Sequence, residues 1–137
     1  MRKAINFLQN LKYLHKNISI DDIYTVTCSI KNDVVSQHLR LCKNIQFDSM
    51  IQSLNELWKH GYDLYNLLEV LATEIINNSI LCLPDGKINL ILYHLLQCNR
   101  ILFNGADEQI QLYNMFAYVY GIANDELKGF EQKYDFI

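Results

Sequence analysis

The sequence predicts an all-α helical bundle, and three observations carry that expectation. One proline and five glycines leave a chain of 137 residues with little turn punctuation. Its apolar residues recur every three to four positions rather than every second one, which is the period of a helix face. The chain is 50% hydrophobic and 20% charged, enough to bury the core of one globular domain with an appended fragment.

A first helix is expected over about 2–14, where Ile5, Leu8 and Leu11 share a stripe with Phe7 and Leu14 and Asn17 supplies a stop. The next start is the clearest in the chain. Ser19 is placed as N-cap, Asp22 holds the capping-box position, Ile18 can staple against Ile23, and Asp21 and Asp22 suit the positive helix end. That helix is expected to reach Thr27, with a break near 28–32 before another over about 33–42 carrying Val34, Val35, Leu39 and Leu41. A helix over about 47–60 follows with Met50, Ile51, Leu54, Leu57 and Trp58, closed by Gly61 in the left-handed conformation. Asp63 caps a helix over about 64–77 whose Leu64, Leu67, Leu68, Leu71, Ile75 and Ile76 form a broad apolar face. Leu83-Pro84-Asp85-Gly86 reads as a turn with Pro near a first helical position, and the helix beyond it, to about Leu102, is apolar on most sides. Asn104-Gly105 stops that helix and Ala106-Asp107-Glu108 opens a last one, lined by Ile110, Leu112, Met115, Phe116, Val119 and Tyr120 and weakened at its end by Gly121. The tail, 127–137, mixes charges with Phe130, Tyr134 and Phe136 and has no caps.

A formal net charge of -3 gives no global basic field for nucleic acid or an acidic membrane, and the twelve Lys and Arg are scattered. With no apolar run of membrane-spanning length and no signal-peptide cleavage pattern, a soluble intracellular protein without a membrane partner is expected. Cys28, Cys42, Cys82 and Cys98 lie far apart without a C-x-x-C pair, so reduced and mostly buried thiols are expected.

Several constellations hold side chains capable of chemistry. His38-x-x-x-Cys42 and His94-x-x-x-Cys98 each stack two ligand types on one helix face, so facing helices would allow a two-His, two-Cys zinc site. Structural zinc ordinarily uses tighter spacing, and buried, metal-free Cys42 and Cys98 are the expectation. Neither Cys28, after a helix, nor Cys82, in a Leu-rich turn, has the setting of a thiol nucleophile. Glu69 with Glu74, and Asp107 with Glu108, read as solvated charges and caps rather than acid-base pairs. A Gly-x-x-x-x-Gly-Lys-Ser/Thr loop does not occur in these residues, so no ATPase and no tight nucleotide binding are expected of this chain alone, with no cofactor and no metal.

Two stretches carry a family likeness: the opening Met1-Arg2-Lys3-Ala4-Ile5-Asn6-Phe7-Leu8-Gln9, and Gly105-Ala106-Asp107-Glu108-Gln109-Ile110-Gln111-Leu112. The chain resembles the C-terminal part of the small subunits of replication factor C, the eukaryotic sliding-clamp loader. Their opening reads Gly-Asp-Met-Arg-Lys-Ala-Ile-Asn-x-Leu-Gln and carries the AAA+ sensor-2 arginine, while a Gly-Ala-Asp-Glu-x-x-Gln-Leu run opens the last collar helix. Supporting matches are Ile18-Ser19 with Asp22-Ile23-Tyr24, the Phe47-Asp48 helix start and Gly61.

The resemblance implies a remnant of the AAA+ lid over 1–29, a helical collar or oligomerisation domain over 30–126, and an unmatched tail over 127–137. It places Arg2 at the sensor-2 position, reaching ATP phosphates only in a full-length protein that also holds Mg. It implies a nuclear protein and a hetero-pentamer with the other subunits, which loads the sliding clamp onto primer-template DNA. Tyr113, Phe116, Tyr118 and Tyr120 spread around the last helix, so at least one is expected to face outward. The expected subunit interface is Gln111, Leu112, Phe116 and Tyr120, with the helix over about 64–77 as the next candidate. The family often has Gly at the position of Cys28 and Pro near Lys31, so a differently bent lid-to-collar joint is expected, and Gly at Ile45 and His or Lys at Gln109 in many relatives imply differences of local geometry. The competing readings are an independent helical adaptor whose likeness is coincidental, and a zinc or thiol enzyme.

Overall fold

A computed structural model describes residues 2–14, 18–44 and 47–126. The expected stop at Asn17, the position of Ile45 and the tail over 127–137 lie outside the described residues. The elements are α1 (Arg2–Leu14), α2 (Ile20–Thr27), α3 (Asn32–Lys43), α4 (Phe47–Lys59), α5 (Leu64–Asn77), α6 (Asp85–Phe103) and α7 (Glu108–Ala123), and every regular element among the described residues is helical.

Local sequence chemistry sets most of these boundaries. The Ser19 side chain accepts from the Asp22 amide at 3.2 Å while the Asp22 carboxylate accepts from the Ser19 amide at 2.8 Å, the reciprocal capping box. Gly61 ends α4 at φ 67 and Gly105 ends α6 at φ 85, both in the region where a Cβ is costly. Asp63 and Asp107 cap α5 and α7 through the amides of Tyr65 and Ile110. Asn78 ends α5 in the left-handed region, and its amide group clasps Leu83 by donating to its carbonyl at 2.7 Å and accepting from its N–H at 2.8 Å. Pro84 stands as N-cap rather than inside the first turn of α6, because its carbonyl accepts from Lys87 and Ile88 and the cap needs no N–H from it. Helix α7 runs through Gly121 to Ala123; its low propensity there is outweighed by the burial of Ile122.

Helices α3 to α7 share one core, and α1 packs on α2 ahead of it. Helix α7 is the axis, packed on α3, α4 and α6, and α5 joins α3 and α6 on the far side. Phe116, Met115, Leu39, Met50, Leu54, Leu71 and Ile91 lie fully buried at the centre. The consecutive pairs α6–α7 and α3–α4 run antiparallel: Lys87 near the start of α6 pairs with Asp125 just beyond α7 at 2.6 Å, and Cys42 near the end of α3 meets Met50 near the start of α4. Asn124 bridges α7 to the carbonyl of Cys42 at 2.7 Å.

Candidate assembly surface

The residues expected at a subunit interface are placed inside the chain. Phe116 is 0% exposed, and Gln111, Leu112 and Tyr120 are buried as well. Phe116 lies 5.9 Å from the His38 ring, Tyr120 meets the edge of Phe47 at 5.3 Å, and Gln111 accepts from Asn114 at 3.3 Å. The cause is the position of α7. A helix walled by three others needs apolar residues on nearly every side, so its aromatic surplus fills the core and leaves no Phe116 or Tyr120 surface for a neighbour. Tyr113 and Tyr118 are half-buried, and the Tyr113 hydroxyl donates to Asn55 on α4.

An exposed apolar surface lies instead along α5 and α6. Tyr65, Leu68 and Ala72 on α5 face Leu92, Leu96 and Phe103 on α6 across a groove of about 380 Å³. Leu92, Leu96, Asn99 and Phe103 follow helical spacing and form one stripe, of which Leu96 is 62% and Phe103 75% exposed. The Tyr65 and Phe103 rings, 5.4 Å apart and tilted by 54°, close one end. Beyond the Asn104-Gly105 turn, Ile110 on α7 is 64% exposed. Such a cluster of large side chains beside a mostly apolar groove has the chemistry of a protein contact rather than of a catalytic cleft. The missed signal was present in the sequence as an α6 apolar on most sides, since a helix at the edge of a bundle has no core to cover that many faces.

The chemistry-bearing side chains have structural partners. The Val34 carbonyl can only accept, so His38 donates to it from Nδ1 at 2.7 Å and its Nε2 accepts from the Ser53 hydroxyl at 3.0 Å. Cys42 is pushed up to about 12 by burial and donates to the Met50 sulfur. Cys98 is also raised by burial and accepts from Asn114 at 3.5 Å. His94 stacks on Tyr118 at 3.9 Å, and burial holds its pKa below the usual histidine range. Among the described residues no three His, Cys, Asp or Glu side chains gather as metal ligands, and no helix is long and apolar enough to cross a membrane. Only half of the cysteines meet the expectation of burial, because Cys28 and Cys82 are exposed at left-handed turn positions. Arg2 lies exposed on the first turn of α1.

Comparison with known proteins assigns this architecture. Residues 30–118 match the family described as Replication factor C C-terminal domain. The chain is 32% identical over 113 residues, 82% of its length, to Replication factor C subunit 2 of Oryza sativa subsp. japonica. It is 27% identical over 121 residues, 87% of its length, to Replication factor C subunit 4 of Homo sapiens. It spans about a third of the length of these curated relatives, 33% and 32% respectively. The chain belongs to the replication factor C family, and its helical bundle from α3 through most of α7 is that family's C-terminal domain.

Proposed function

We propose that this chain is the assembly module, or collar, of a replication factor C small subunit. In this reading α3 to α7 hold the subunit in a hetero-pentamer, and α1 with α2 form the end of an ATPase lid that places Arg2 toward ATP phosphates. A fixed, bidentate guanidinium suits that task. The full-length subunit would hold ATP and Mg through residues outside this chain and load the sliding clamp onto primer-template DNA in the nucleus. The chain by itself is non-catalytic.

The observation that carries the reading is the family's C-terminal domain bearing an uncovered apolar face on α5 and α6. Identity extending over 113 residues, 82% of the chain, disfavours an independent adaptor with a coincidental likeness, since that stretch is longer than the domain match over 30–118. The test is co-expression of the tagged chain with the other replication factor C subunits from the same cells. Recovery of at least one neighbouring subunit in stoichiometric amount is expected. A tagged chain that purifies free of every one of them overturns the proposal.

A further inference from the structure

The first turn of α5 takes part in two features at once. On one side it holds the joint between α2 and α3. The Asp63 amide donates to the Cys28 carbonyl at 3.1 Å, and the Asn66 side-chain oxygen accepts from the Ile30 amide at 3.1 Å. Cys28 is left-handed at φ 51, a conformation that favours glycine, and the chain enters it without one. Lys31 reaches back over the Tyr24 ring to Asp21 at 2.5 Å, tying the start of α3 to α2. On the other side, Tyr65 lies between Asp63 and Asn66 in sequence and forms the closed end of the α5–α6 groove against Phe103. The Asp63 carboxylate caps the Tyr65 amide at 3.3 Å, so one residue serves both the joint and the helix start.

We propose that the first turn of α5 is a mechanical link, latching the α1–α2 pair to the bundle and coupling its orientation to the Tyr65–Phe103 end of the groove. The joint is a latch rather than a free hinge, because the Cys28 carbonyl and the Ile30 N–H are both paired with the start of α5. Ile30 is buried at the joint, so freeing its N–H from Asn66 leaves a donor with poor access to solvent. Occupation of the groove end fixes Tyr65, and with it the helix start that holds Cys28 and Ile30. Two sites sharing one rigid turn are coupled in both directions, since linkage is reciprocal. The joint itself is independent of what fills the groove, while the use of that coupling in assembly rests on the proposed collar role.

Amide hydrogen exchange on the isolated chain tests the link without any partner, so its outcome is separate from that of the co-purification experiment. In the parent chain the amides of Ile30 and Asp63 are expected to exchange slowly. Asn66→Ala should speed Ile30 and the α2 amides at least about tenfold while the amides of α6 and α7 stay unchanged, and Asn66→Asp, which keeps an acceptor, should restore protection. Removing the groove end with Phe103→Ala should speed Ile30 and Asp63 in the same direction, whereas Ile76→Ala at the other end of α5 should not. Indifference of α2 to Asn66→Ala overturns the latch. An Asn66 effect without a Phe103 effect overturns the coupling to the groove.

Discussion

Replacing Phe116 by Ala tests whether α7 is the axis of the bundle. Its ring is 0% exposed, lies against His38 at 5.9 Å and is among the largest fully buried side chains. Deleting a buried phenyl ring removes its transfer free energy and leaves a cavity that close-packed neighbours fill incompletely, a loss of about 3–5 kcal/mol. Domains of this kind are stable by about 5–15 kcal/mol, so the variant should lose about a fifth of its stability or more. Phe103→Ala removes the same ring from a site that is 75% exposed, and a surface change of that kind is expected to stay within about 0.5 kcal/mol. Urea unfolding followed by circular dichroism reads both as midpoint shifts at constant slope. A loss below about 1 kcal/mol for Phe116→Ala, or equal losses for the two variants, would refute the placement of α7 inside the core.

Four other outcomes follow from the local chemistry. Ser19→Ala removes the capping box and should weaken α2 by about 1 kcal/mol, seen as faster exchange across Ile20–Thr27 with α6 and α7 unaffected. With Cys42 pushed up from 9.0 to about 12, a thiol reagent at pH 8 should label Cys28 and Cys82 in the native protein and reach Cys42 only on unfolding. The same shift makes the protein lose stability as pH rises above 9, where the unfolded thiol ionises first, until the folded thiol follows near 12, and Cys42→Ala should lack that component. His94 is lowered by burial, so its contribution is complete above the unfolded value of 6.5 and is lost as pH falls below it; His94→Phe should flatten the decline that sets in there.

Helix ends were legible because single residues determine them: Ser19 with Asp22, Gly61, Asp63, Gly105 and Asp107 act where the sequence places them. The helix over Leu64–Asn77 was expected to carry a broad apolar face, and Leu64, Leu67, Leu68, Leu71 and Ile75 are buried while Ile76 stays exposed. The central position of α7 was not legible, because apolar content does not tell a central helix from an outward one. Phe116 and Tyr120 are taken up by the packing of α7 against α3, α4 and α6. On α6 the information was present as the stripe Leu92, Leu96, Asn99 and Phe103, but which of its faces meets α5, α7 or nothing depends on tertiary packing. The role of Asn66 at the α2–α3 joint is a pairing across 36 positions that no local pattern announces.

Assembly through α5 and α6 is tested most directly by Leu96→Asp with Phe103→Asp in the full-length subunit, co-purified with its replication factor C partners. Both residues are largely solvent-exposed within the chain, so the circular dichroism melt should remain that of the parent. Burying two new carboxylates under a partner costs several kcal/mol, which lowers occupancy of the complex by orders of magnitude. The account predicts a folded subunit from which at least one neighbour is lost. A complex recovered at parental stoichiometry and resistant to the same salt and dilution would contradict it, because the α5–α6 face would then be ordinary surface.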